Sequence, residues 1–208
     1  MFINLIRKLK STRGNSLAEF AVTTAMMATL ATTAAPKFSG VGEGAKEKKT
    51  MADIDKIVKS ANNFYNAKVT EEGRGRFPGQ IKYDEAVGGY ASDTLIVDGL
   101  ADFASYDDAE GGNWVSVFGT TTTGAEAPSG HNISVSEDDN KDGSYDPYVG
   151  AEEFLDQFGN NPIKTPFQDG HYIYAVIAGG GSGSSSYAPT LYVADLENPS
   201  NFFKKLQP

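Results

Sequence analysis

The sequence predicts an α+β fold, with a long N-terminal helix packed on a C-terminal antiparallel β-sheet domain that carries long loops. Three observations predict it. Phe20 to Pro36 contains no charge, Met51 to Tyr65 repeats apolar residues at helical spacing, and the chain beyond residue 70 alternates short β-branched or aromatic runs with Gly- and Pro-rich turns. With 208 residues, the chain has room for one compact domain on a stalk and no second core.

The first element is the apolar half of the helix. Ser16 to Ala35 spans about 30 Å at ~1.5 Å per residue, which matches the hydrocarbon thickness of a bilayer. Five threonines and seven alanines stand there in place of the Leu and Ile of a strong anchor, and small residues favour close helix packing. At its head lies one carboxylate, Glu19. An unpaired acid in hydrocarbon costs at least ~2.5 to 3.5 kcal/mol, so it marks function and requires a partner. The leader's Arg7, Lys8, Lys10 and Arg13 precede the apolar segment and hold this end in the cytoplasm, so the rest must be exported.

Pro36 removes a backbone donor, and Gly40, Gly42 and Gly44 follow, so a break is expected between Pro36 and Gly44. Helical spacing resumes through Met51, Ile54, Ile57, Val58, Ala61, Phe64 and Tyr65, giving an amphipathic half that ends by Val69. Its stripe is a packing face for a sheet. Lys46, Lys48 and Lys49 lie just outside the span, positioned for lipid headgroups, acidic neighbours or solvent.

Residues 66–90 read as a long connection. Strands are predicted at Thr94–Val97, Trp114–Phe118, Ile133–Val135, Tyr172–Ile177 and Leu191–Ala194, the last two forming a hairpin with a mobile Gly/Ser tip over Gly179–Ser186. That glycine run lacks the Lys-Ser/Thr pair and the following helix of a phosphate cradle.

Residues 137–156 are read as an acidic loop. Asp138, Asn140, Asp142, Gly143, the Ser144 carbonyl and Asp146 reproduce the alternate-oxygen spacing with a central glycine that suits calcium, a hard cation taking 6 to 8 oxygens. The twelfth position is Val149 rather than Glu, so Glu152, Glu153 or Asp156 must fold back to complete the shell. The alternative is a solvated loop held open by its own repulsion.

The formal charge is −9, and about −13 without the four leader cations, which argues against nucleic acid. There are no cysteines, so no disulfide or thiolate site exists. With His131 and His171 alone and no Gly-x-Ser-x-Gly elbow, an enzyme is not expected, although composition leaves a Ser-His-Asp set open.

Arg13-Gly14-Asn15-Ser-Leu-Ala-Glu19-Phe20, followed by the apolar segment, resembles the prepilin signal of the type IV pilin superfamily and its type II secretion pseudopilins. The resemblance is strengthened by Phe64-Tyr65 through Gly75-Arg76-Phe77-Pro78 and by Asp156-Gln-Phe-Gly-Asn-Asn-Pro162, which are similar to stretches of major pseudopilins. It covers residues 8–80 and 155–178; Asn15 departs from the usual aromatic or Met.

The resemblance implies a leader over residues 1–14 removed by a prepilin peptidase after Gly14, a helix over 15–69, and a β-rich domain over 70–208. It also implies N-methylation at Asn15 and pairing of Glu19 with the Asn15 amine of a neighbouring copy, with Pro36 shaping the helix. Partners would be further copies in a homopolymer, minor pseudopilins or pilins, and an inner-membrane assembly platform. The chain would wait as a single-pass protein in the inner membrane and then join a periplasmic or extracellular filament. A surface pilus for adhesion or motility is the alternative within the family. A permanent signal anchor, or a membrane-anchored calcium-dependent binding module, is the alternative outside it.

Overall fold

A computed structural model describes Ala21 and residues 42–102, 113–119, 147–167 and 171–208. The chain divides into two compact units, Met1–Ala45 and Lys46–Pro208. In the first, Ala21 and residues 42–45 are helical.

Helix α1 covers residues 42–72, three residues further than the stripe predicts. Gly42 and Gly44 are helical, so the expected break does not extend to them; Pro36 lies outside the described residues. Ile54, Ile57, Ala61 and Phe64 are buried, as helical spacing requires. The helix closes at Gly73, whose positive φ of 79° lets its N–H reach the Val69 carbonyl at 3.1 Å.

Within the second unit the order continues α2 (Asp93–Asp102), β1 (Val115–Ser116), α3 (Pro147–Gln157), β2 (Tyr172–Ile177), β3 (Thr190–Asp195) and β4 (Phe203–Leu206). The described sheet is an antiparallel meander in the order β1-β2-β3-β4. Tyr174 pairs with Val115 on one side and Val193 on the other, and Val193 pairs with Lys204.

Both sheet faces are covered. Tyr172, Tyr174 and Val176 of β2 join Leu191 and Val193 of β3 in a core shared with Ile54, Ile57 and Ala61 of α1 and Phe154 of α3. On the opposite face, Ile173, Ala175, Tyr192 and Ala194 pack with Ile96 and Leu100 of α2, together with Trp114 and Tyr90. Burial on two sides explains why β2 and β3 read as continuous apolar runs.

Several expectations are corrected. Thr94–Val97 is not a strand but part of α2, because Ser92 begins a helix there: its carbonyl accepts from the Ile96 N–H at 3.3 Å, and its Oγ from the Leu95 N–H at 3.5 Å. The Trp114–Phe118 strand is confined to Val115–Ser116. Residues 147–156, read as part of the acidic loop, are helical in α3, with Pro147 at the first position where its missing donor costs nothing. Strand β4 was not expected. The predicted Ile133–Val135 strand lies outside the described residues.

The β2–β3 hairpin is as expected, and its tip is internally bonded. Gly180 and Tyr187 exchange backbone hydrogen bonds at 3.1 and 2.9 Å around a 3-10 turn at Gly183–Ser185.

Candidate functional site

The sequence-derived site residues fall largely outside the described part of the chain. Gly14, Asn15, Glu19 and Pro36 do so, as do Asp138, Asn140, Asp142, Ser144 and Asp146. The predicted span 16–35 is likewise described only at Ala21. Among the described residues, no helix is long and apolar enough to cross a membrane, and no group of three or more His, Asp or Glu is placed to hold a metal.

The described residues do show what holds the two sequence motifs after the helix. Phe77-Pro78-Gly79-Gln80 forms a turn in which the Gln80 N–H donates to the Phe77 carbonyl at 3.2 Å, with Gly79 at φ 84°, a geometry favoured by Pro-Gly. Gln80 is buried, and its Oε1 accepts from the Phe77 N–H at 2.7 Å while its Nε2 donates to the Glu85 carbonyl. Phe77 is fully buried against Tyr65, with ring centroids 5.3 Å apart.

Glu153 of α3 clasps this turn. It accepts from the Gly79 N–H at 2.8 Å and pairs with Arg76 at 2.8 Å, with the two side chains 18% and 13% exposed. Burial pushes its carboxyl above the usual carboxylate range, opposed by the Gly79 N–H and by Arg76. Gly79 and Gly150 pass so closely that a Cβ on Gly150 would meet the Gly79 Cα at 3.0 Å and overlap the Tyr174 hydroxyl. Glu153 is therefore committed to the turn, which removes one of the three carboxylates expected to complete a calcium shell. Glu152 and Asp156 share the same helix and are exposed.

The second motif behaves as its residues require. Helix α3 ends in paired hydrogen bonds, from the Asn160 N–H to the Leu155 carbonyl at 2.8 Å and from the Gly159 N–H to the Asp156 carbonyl at 3.1 Å, with Gly159 at φ 59°. Phe158 anchors the reversal by packing edge-to-face on Phe118 at 5.3 Å.

Ser116, His171, Asp195 and Asp53 are four further buried polar residues. Ser116 Oγ and His171 Nε2 are hydrogen-bonded, but their residues are 0% and 3% exposed, so no substrate carbonyl reaches that hydroxyl in this structure. Asp195 is fully buried and is bonded by the Thr165 hydroxyl at 2.9 Å and the Glu197 N–H at 3.1 Å. Across the same face, Asp53 is buried and paired with Lys56 at 2.7 Å and Lys49 at 3.3 Å. Burial, followed by the Asp53 and Asp195 charges, raises the Tyr172 phenol above its ordinary range.

Burial pushes the Asp195 carboxyl from 3.8 up to about 6, so between those values the folded state binds a proton that the unfolded state has released. Its contribution to stability is therefore greatest at low pH and falls as pH rises from about 4 through 6, by about 3 kcal/mol. Urea midpoints at pH 4.5 and 7.5 check this. Asp195→Asn is expected to flatten the fall in stability across that window.

No family model, curated protein or solved structure matches this chain.

Proposed function

We propose that the chain is the structural subunit of a type IV pilin-like filament, most like the major pseudopilin of a type II secretion system. The observation that carries this reading is the order of residues at the N-terminus. A basic leader ends at Gly14, Glu19 is the fifth residue after it, and the chargeless segment follows the cut rather than preceding it. A peptidase acting after Gly14 would leave the apolar helix on the mature chain and expose an ammonium on Asn15. The finer architecture, with residues 16–35 as a membrane-spanning half and a break near Pro36, belongs to this proposal.

The mechanism is mechanical. The helix leaves the bilayer for a bundle of identical helices, Glu19 pairs with a neighbour's Asn15 amine, and the domain faces outward. Growth of the filament then drives exported proteins through an outer channel. The buried stripe of α1 on an antiparallel sheet supports the reading, because it gives the helix a domain to carry. N-terminal sequencing of membrane-purified material tests it: a start at Asn15 is expected, while retained Met1 or cleavage after Pro36 would overturn it.

The Asp-x-Asn-x-Asp-Gly spacing favours a second feature, a calcium clasp held by Asp138, Asn140, Asp142, Ser144 and Asp146. Calcium is expected to raise the melting temperature of the full chain, and Asp138→Ala with Asp142→Ala to abolish the rise. Equal melting curves in calcium and in chelator would retire the clasp.

A further inference from the structure

Between the last turn of α1 and the hairpin tip lies a cleft of about 330 Å³, lined by Tyr65, Val69, Arg74, Tyr83, Tyr187 and Pro189 among others. Its walls are tied together. The Gly179 N–H donates to the Tyr83 carbonyl at 2.8 Å, and Gly75 lies so close under the Tyr65 ring that any side chain there would overlap it. Val69 and Tyr187 are 41% and 60% exposed, large apolar surface left open at the mouth. The Arg74 guanidinium stacks over Tyr83 at 4.3 Å. Among the described residues it has no carboxylate partner, whereas Arg76 is engaged by Glu72 and Glu153.

Tyrosine rings around an arginine make a composition enriched where proteins grip one another. A stacked guanidinium keeps its planar fork of donors, which matches a carboxylate in two parallel hydrogen bonds. The occupant must therefore bring an acid. The chain itself carries −9, and copies of it repel unless acidic runs on one meet cations on another. Residues 137–146 hold five carboxylates against one lysine. Glu137 and Asp139 are the two outside the calcium ligand set.

Residues 120–146 join Gly119 to Pro147, where α3 is pinned to the turn beside Arg76 through Glu153. Extended out and back at ~3.3 Å per residue, such a segment reaches about 40 Å, against a radius of gyration of about 15 Å for a domain of this size. It is long enough to meet an adjacent copy.

We infer that the cleft receives the acidic segment of a second copy of this chain, with Glu137 or Asp139 on Arg74 and the tyrosines covering the flanking residues. The inference rests on the filament reading and names a lateral contact that reading does not contain.

The test uses the full-length chain in membranes with p-benzoylphenylalanine in place of Tyr187, beside a tagged full-length copy. Irradiation is expected to join position 187 to the 137–146 peptide of the tagged copy. Arg74→Glu is expected to lower the yield about fivefold, and Glu137→Lys with Asp139→Lys in the tagged copy to restore it. Cross-links within one copy or to another protein, or a yield indifferent to Arg74→Glu, overturn the inference. Sedimenting filaments without this cross-link sink it alone, whereas an unprocessed chain that never sediments sinks the filament reading as well.

Discussion

Replacing Glu19 by Ala is expected to leave the chain in the membrane and abolish sedimentable filament. The carboxylate opposes insertion by at least ~2.5 to 3.5 kcal/mol, so its removal makes the apolar segment a better span. What would be lost is the proposed pairing with a neighbour's Asn15 amine. In a low-dielectric bundle that leaves each ammonium unpaired, a penalty of several kcal/mol at every subunit contact. Alkaline extraction of membranes separates insertion from assembly, and ultracentrifugation measures the latter. Wild-type filament yield from Glu19→Ala would remove the electrostatic basis of the proposed assembly.

The second large effect concerns Glu153. Its removal in Glu153→Ala leaves the mostly buried Arg76 guanidinium with Glu72 as its remaining carboxylate and the Gly79 N–H without its acceptor, so a loss of about 2 kcal/mol is expected. Chemical denaturation of the full chain in detergent measures it. Arg76→Met combined with Glu153→Leu should recover much of the loss, because a packed apolar pair avoids stranding either charge. A single variant as stable as the wild type would mean that water replaces the clasp at no cost.

Elements whose burial follows one periodic rule were legible in the sequence. Ile54, Ile57, Ala61 and Phe64 point inward at threes and fours, and Tyr172–Ile177 and Leu191–Ala194 announce themselves by β-branched and aromatic content. Thr94–Val97 carries the same content, yet the Ser92 cap and the inward pair Ile96 and Leu100 make it helical. In α3, acidic residues and neighbouring turn signals masked Phe154, although Pro147 was a readable start. Strand β4 is short and its two lysines hide its apolar partners, so only its pairing with β3 defines it. The clasp was unreadable for another reason: Arg76 and Glu153 lie far apart in sequence, and no local pattern links them. The proposed processing and assembly residues, Gly14, Asn15, Glu19 and Pro36, stand on the sequence pattern alone, because they lie outside the described residues.

Strand β4 also has a consequence for association between molecules. Lys204 and Lys205 tie it to Asp55 of α1 and Asp93 of α2. Without β4, β3 would present a bare row of amides and carbonyls along Leu191–Ala194, all of them buried. A molecule in which that strand has come away would therefore do more than fray. It would offer an adhesive flank to any other molecule in the same state, and clumping would precede any loss of the interior.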